Sequence, residues 1–250
     1  MTMRTLRFPE SRPNDGARTG SGKLTAGVPL TRLVKPKLTD LAELVVLSRP
    51  RSAAADHFRH VCQTVDRQDR QPPQTLLVTS AERSEGRSFV ATNLALSFAD
   101  RRPGRVLLLE ADLRYPQLAG RLEPAPKFGL GELLAGRTEL AHVLIEAGNS
   151  PLHLLPAGSL HGDPLDRFVS ESFESLMHEL KERYDRIVID TPPVVPFPDA
   201  NAVGRFADGA LVVARVGATR RGPLRQAIAS VTSTSVLGTL LNDLPIDGVG

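Results

Sequence analysis

Residues 76–88 read Leu-Leu-Val-Thr-Ser-Ala-Glu-Arg-Ser-Glu-Gly-Arg-Ser: an apolar run, then a polar turn closing on Gly86-Arg87-Ser88. An amphipathic segment begins at Phe89. Strand, tight loop and helix in that order form a phosphate cradle, the P-loop. Its backbone N–H groups surround the phosphates, a lysine reaches the outer ones, and a hydroxyl binds Mg²⁺. The usual pattern is G-x-x-x-x-G-K-[ST]. Here Ala81 stands at the first small position, Gly86 and Ser88 are in place, and Arg87 takes the place of the lysine. One glycine and no lysine make a weak motif, so its standing rests on the rest of the chain.

Outward from this loop, apolar runs alternate with amphipathic segments. Strands are expected at 75–79, 105–110, 152–156, 186–190, 210–216 and 236–242, and helices at 88–101, 129–135, 138–147, 171–184, 198–206 and 221–232. Short Leu/Val/Ile-rich strands separated by helices predict βαβ crossovers, hence an α/β fold with a doubly wound parallel sheet covered on both faces. Ligands of such sheets sit beyond the carboxyl ends of the strands. Two of those ends carry acids. Val106–Leu109 runs into Glu110-Ala111-Asp112-Leu113-Arg114, and Ile187-Val188-Ile189 runs into Asp190-Thr191-Pro192-Pro193. For either strand alone, an acid that merely caps the next element is the simpler account. Glu110, Asp112 and Asp190 together with Gly86-Arg87-Ser88 instead supply what a nucleotide and its hard cation need: carboxylate oxygens beside a phosphate loop.

The bulk numbers agree with one large domain. At 250 residues, with 41% hydrophobic and 24% charged residues, the chain can bury a full core. No apolar run approaches the ~20 residues of a bilayer-spanning helix, and Met1–Lys23 has no signal-peptide core, so a soluble cytoplasmic protein without a membrane span is expected. A single cysteine, Cys62, fits a reducing compartment and is expected to be buried on its helix. Residues 1–75 carry thirteen Lys/Arg against seven Asp/Glu, while the remainder carries eighteen against twenty-one. The basic arm lacks a dense cationic block and has one aromatic before residue 58, so no nucleic-acid partner is expected. Residues 1–40 mix Pro, Gly, Ser, Thr and Arg without period and are expected to be disordered. Residues 41–71 form a docking segment: Leu41–Leu47 is a short strand or helical turn, and a helix capped by Ser52 follows with Ala55, Phe58, Cys62 and Val65 on one face. The body spans 74–250. The six histidines show no metal-site spacing, and the simpler reading is packing or surface. Ser80 and Ser88 lack a paired His/Asp for covalent catalysis. Arg114, Arg220 and Arg221 are ordinary surface arginines unless a phosphate or partner lies near, and Asp199 is a helix cap.

T-S-A-E-x-x-E-G-x-S, then V-L-L-L-E-A-D-L-R-Y-P, then Y-D-R-I-V-I-D-T-P-P-V resembles the bacterial tyrosine kinases of capsule and exopolysaccharide assembly. These are the cytoplasmic CpsD/CapB-like BY-kinases, related to the MinD and ParA ATPases. The likeness runs over about residues 41–245. It implies an ATP-binding protein-tyrosine kinase of P-loop NTPase fold using ATP/ADP and Mg²⁺. Such a protein would work beside a membrane polysaccharide co-polymerase, a Wzz-like chain-length protein, at the inner face of the cell membrane, and regulate exopolysaccharide or capsule synthesis. Carried over by residue, Ala81, Ser84, Glu85, Gly86, Arg87, Ser88 and Phe89 would hold the phosphates (Walker A). Glu110 and Asp112 form Walker A′ and Asp190 Walker B. Ser88, Asp112 and Asp190 would hold the metal, Arg87, Glu110, Asp112 and Asp190 would carry catalysis, and Asn242 would lie at the adenine base.

The departures are equally specific. Arg87 replaces the lysine, Arg83 and Ser84 replace a proline and a glycine, Phe89 replaces a small hydroxyl residue, and Glu110 replaces an aspartate. A non-glycine residue at 84 is strained if the loop needs positive φ there. The family's E-x-x-R-x-x-R oligomerisation motif reads Asp56, Arg59, Cys62, which implies a homo-oligomer through Asp56 and Arg59; a plain i,i+3 surface pair is the alternative. Only Tyr115 and Tyr184 are present, both beside motif strands and both expected to pack there, so no autophosphorylation tail is expected. Three readings therefore stand: the kinase, a catalytically weak or inactive pseudokinase adaptor of the same assembly, and a MinD/ParA-like positioning ATPase.

Overall fold

The computed structural model describes residues 5–6, 37–38, 44–67, 72–101, 104–147 and 150–243. Two short strands, β1 (Thr5–Leu6) and β2 (Lys37–Leu38), fall within the arm expected to be disordered. The rest of that arm lies outside the described residues. From Leu44 the docking segment is a helical turn, α1 (Val45–Ser48). It leads into α2 (Ala53–Asp66), where Ser52 takes the capping role expected of it by accepting the Ala55 N–H at 3.2 Å. Ala55, Phe58, Cys62 and Val65 form the buried stripe, and burial pushes the Cys62 thiol well above its ordinary range.

The body runs β3 (Thr75–Ser80), α3 (Arg87–Arg101), β4 (Val106–Glu110), a 3₁₀ turn (Ala119–Arg121), β5 (Leu122–Glu123), α4 (Leu130–Leu134), α5 (Leu140–Val143), β6 (Ile145–Glu146) and β7 (Leu152–Leu155). It continues α6 (Pro164–Phe168), α7 (Glu171–Arg183), β8 (Arg186–Asp190), α8 (Asp199–Gly204), β9 (Gly209–Arg215), α9 (Arg221–Ser230) and β10 (Val236–Asn242). The body's sheet has the order β10-β9-β3-β8-β4-β7-β6, with β1 added at the β10 edge; β2 and β5 form a separate pair. All pairs from β10 to β7 are parallel, and only the edge strands β1 and β6 run antiparallel.

The central strands are buried on both faces, as continuous apolar runs require. Leu76, Val78, Leu108, Val188, Leu211 and Val213 point to one core, shared with α1, α2 and α3. Leu77, Leu107, Leu109, Ile187, Ile189 and Val212 point to the other, shared with α4 to α9. This period-2 alternation is what the doubly wound expectation demands.

One expected element is corrected. The segment 138–147 is not a helix throughout: α5 stops at Val143, and Ile145–Glu146 pairs with Leu154 and His153 of β7. Leu140, Val143, Leu144 and Ile145 are all buried. An apolar run that short satisfies either period, and the open sheet edge takes its last residues. The short α6 escaped the sequence reading, although Asp163 caps it, accepting the Leu165 N–H at 3.1 Å, with Pro164 in its first turn.

Candidate functional site

The order β3-β8-β4 sets the three motif strands side by side. Asp190 lies in register with Val78 on one side and with Glu110 on the other. Beyond the strand ends, the Ala111 N–H donates to the Asp190 carbonyl at 2.8 Å, and the Thr191 N–H and hydroxyl both donate to the Val78 carbonyl. The loop and both acid-bearing strand ends, the farthest of them more than a hundred residues apart in the chain, therefore open at one place.

The loop between β3 and α3 is braced from within and from the β9–β10 side. The Ser80 hydroxyl donates to the Glu82 carbonyl at 2.7 Å, and the Glu82 N–H donates to Glu85 Oε2 at 2.9 Å. The Thr219 hydroxyl bonds the other Glu85 oxygen, and Asn242 Nδ2 donates to the Glu85 carbonyl at 3.1 Å. Ser84 has φ 61°, so the position does need the left-handed region that glycine adopts freely. Gly86 has φ 90°, and a Cβ there would fall 1.9 Å from Asn242 Nδ2. Ala81 is fully buried in the core beneath the loop. The Val90 N–H donates to the Gly86 carbonyl. The N–H groups of Arg87, Ser88 and Phe89 are thus left without an intrahelical acceptor at the positive end of a 15-residue helix, where an anion is stabilised.

Charge is concentrated just beneath. Arg87 is buried; its Nη1 donates to Ser80 Oγ at 3.1 Å and its Nη2 to Asp112 Oδ2 at 3.0 Å. Asp112 Oδ1 accepts the Tyr115 N–H at 3.0 Å. Burial raises the Asp112 carboxyl above its ordinary range against the opposing pull of Arg87. Asp190 is pushed up to about 7, first by burial, with Arg87 and a hydrogen bond from Ser88 working the other way. Its Oδ1 is buried and has no hydrogen-bond partner. Glu110 accepts three backbone N–H groups, from Gln117 at 2.5 Å, Leu118 at 2.7 Å and Ala157 at 2.9 Å. Burial nonetheless leaves its carboxyl raised.

A small cleft lined by Ser88, Thr92, Glu110, Gln117 and Asp190 lies at this point. The donors fit Mg²⁺: an orphaned carboxylate oxygen beside a hydroxyl, both hard ligands. No group of three or more His, Cys, Asp or Glu side chains able to hold a metal exists among the described residues. A six-coordinate cation at Ser88 and Asp190 would complete its shell with phosphate and water oxygens.

Other expected residues fall elsewhere. The Phe89 ring packs 5.8 Å from Phe58 of α2, so its side chain faces the core and only its backbone N–H is left for a phosphate. Asp56 and Arg59 pair with each other at 2.9 Å on α2, and Arg59 also donates to the Pro50 carbonyl. Asp199 is not a simple cap: it is fully buried within α8 and accepts two bonds from Arg114, which also pairs with Asp163. Tyr184 is buried with its hydroxyl 2.7 Å from His153 Nδ1. Tyr115 is 39% exposed, with the Arg83 guanidinium 3.5 Å over its ring. Sequence reasoning missed Ser80 as an Arg87 partner and Thr219 as a brace on the loop. Neither carries a local signal, because each acts through a residue remote in sequence or across the loop.

No family model matches the chain. Individual proteins do. It is 30% identical over 176 residues to the tyrosine-protein kinase CpsD of Streptococcus pneumoniae, covering 69% of this chain and 77% of that protein. It is 29% identical over 212 residues to the succinoglycan biosynthesis transport protein ExoP of Rhizobium meliloti, covering 82% of this chain but 27% of ExoP. Among solved structures, the chimerical protein CapA2B2 superposes with a TM-score of 0.78 at 23% identity, over 86% of this chain and 96% of the other, a likeness of fold. No helix among the described residues is long and apolar enough to cross a membrane.

Proposed function

We infer that this chain, which belongs to the bacterial tyrosine-protein kinases, binds ATP·Mg²⁺ in the cleft between β3, β8 and β4 and transfers phosphate to tyrosine. One relative is a succinoglycan biosynthesis transport protein, and we assign this chain to exopolysaccharide biosynthesis. The orphaned Oδ1 of Asp190 beside Ser88 carries the reading: a buried, unpaired carboxylate oxygen is costly unless a cation meets it.

The N–H groups of Arg87, Ser88 and Phe89 would receive the phosphates, and Asn242 lies at the loop's far edge, where the base would rest. Ser88 and Asp190 are the metal-side ligands; the cation, when bound, neutralises charge on the outer phosphates. In the transfer, the tyrosine oxygen bonds to the γ-phosphorus while the bond from that phosphorus to the β–γ bridging oxygen breaks, and ADP departs with the electron pair. The tyrosine proton passes to Asp112, whose raised basicity suits it to the task. Glu110, with its oxygens engaged by three N–H groups, positions the turn after β4. Arg87 offsets developing charge once phosphate displaces Asp112 from its guanidinium. The chain would dock, as a homo-oligomer formed through α2 with Asp56 and Arg59, on the cytoplasmic end of a membrane polysaccharide co-polymerase.

The Arg87–Asp112 ion pair favours a second reading, an adaptor in which the arginine satisfies the site internally and catalysis is weak. Titration calorimetry with ATP·Mg²⁺ and an assay for phosphotyrosine decide between them. The kinase predicts both binding and transfer, with Arg87→Lys changing turnover at least tenfold. Binding without phosphotyrosine, in wild type and Arg87→Lys alike, selects the adaptor. No binding at millimolar nucleotide removes the kinase reading.

A further inference from the structure

Two arginines in and beside the site are already committed. Arg87 is paired to Asp112, and Arg114 is held by Asp199 and Asp163. Arg83 is different. It sits on the exposed crest of the phosphate loop, and its guanidinium has no carboxylate partner among the described residues; it lies 3.5 Å over the Tyr115 ring. Tyr115 follows Asp112 by three residues and is anchored to it through its N–H. Arg83 is therefore held on the β4 side of the loop, while Asn242 and Thr219 brace the loop from the β9–β10 side.

We infer that Arg83 is a second phosphate-contacting cation, parked on Tyr115 and directed at the terminal phosphate of a nucleoside triphosphate. The inference rests on the nucleotide reading above and adds to it the group that tells triphosphate from diphosphate. A nucleotide lying across the loop with its base toward β10 carries its terminal phosphate toward β8 and β4, where Arg83 waits. The need for such a cation follows from the charges present. Glu82, Glu85, Glu110, Asp112 and Asp190 lie in or beside the loop, five carboxylates against the single buried cation Arg87 among the described residues there, itself paired with Asp112. An arginine over an exposed ring gives up a weak contact, whereas a charge-assisted, two-pronged bond to phosphate is among the strong ones. Tyr115 supplies a flat rest that leaves the guanidinium unneutralised.

The test is calorimetric affinity for ATP·Mg²⁺ and ADP·Mg²⁺ in wild type, Arg83→Ala and Arg83→Lys, with tyrosine emission followed in parallel. The chain has two tyrosines and no tryptophan, and Tyr184 is buried, so Tyr115 can report on its stacked arginine. Arg83→Ala is expected to weaken ATP about tenfold while leaving ADP within about twofold, and Arg83→Lys to recover part of the loss. ATP, but not ADP, should change wild-type emission, and Tyr115→Phe should abolish that change. Equal losses for ATP and ADP, or no loss, in a folded Arg83→Ala protein overturn the inference and leave the nucleotide site standing. A wild-type protein that binds neither nucleotide overturns both.

Discussion

At the scale of single residues, Asp190 shows how burial turns a carboxylate into a sensor of its own ligand. An ordinary aspartate titrates near 3.8, and burial lifts this one to about 7. A folded-state value above the unfolded one means the folded chain holds the proton more tightly. The stability this gives is complete below about pH 4 and is lost as pH rises through 7. Asp190→Asn should therefore melt higher than wild type at pH 8, by roughly 5 °C, with the difference closing toward pH 4. The same proton competes with a cation, so wild-type affinity for ATP·Mg²⁺ should fall as pH drops below 7. A melting difference that is constant across this range would show that Asp190 ionises normally. Glu110 has a raised carboxyl too, but its three N–H partners make it a brace on the turn after β4. The sequence makes both residues visible as acids at strand ends; it cannot separate them, because the difference lies in which N–H groups fold back onto each.

At the scale of elements, the loop from Ala81 to Gly86 is where local preference and tertiary demand disagree. Ser84 holds φ 61° with a Cβ attached, at a cost of about 1 kcal/mol relative to glycine. Ser84→Gly should raise unfolding free energy by roughly 0.5–1 kcal/mol in urea denaturation. A loss of stability would mean that the serine side chain contributes more than its backbone costs. The sequence already points to that strain, because the kinases it resembles carry glycine at this position. The edge near Ile145 was not legible there: the four buried apolar residues between Leu140 and Ile145 suit a helix as well as a strand, and β7 decided between them by offering an unpaired edge. Helix α2 was readable in full, from its Ser52 cap to its apolar stripe, since both signals are local. The contact of its Phe58 with Phe89 has no local signal: the Phe89 ring serves the α2–α3 interface, which leaves only its backbone N–H for a nucleotide.

At the scale of the whole molecule, a ligand at the meeting point of three central strands stabilises the entire sheet. Binding there is felt as global stability: at ATP·Mg²⁺ a hundredfold above its dissociation constant, the gain is ~2.7 kcal/mol, or about 5–10 °C in Tm for a chain of this size. Thermal scans with nucleotide should show this rise, and EDTA should remove most of it; a rise insensitive to EDTA would exclude Asp190 as a metal-side residue. By itself the sequence determined the class of the fold, its succession of strands and helices, and the three acid- or glycine-bearing strand ends. Apolar periodicity and loop chemistry are local and survive without a partner. Only the tertiary structure decided that Arg87 pairs with Asp112, that Asp190 keeps an unpaired oxygen, and that Arg83 rests on Tyr115. Each of these depends on which side chains from distant strands come within about 3 Å of one another, and on the loss of water that leaves a charge to be met by a protein group, by a ligand, or by nothing.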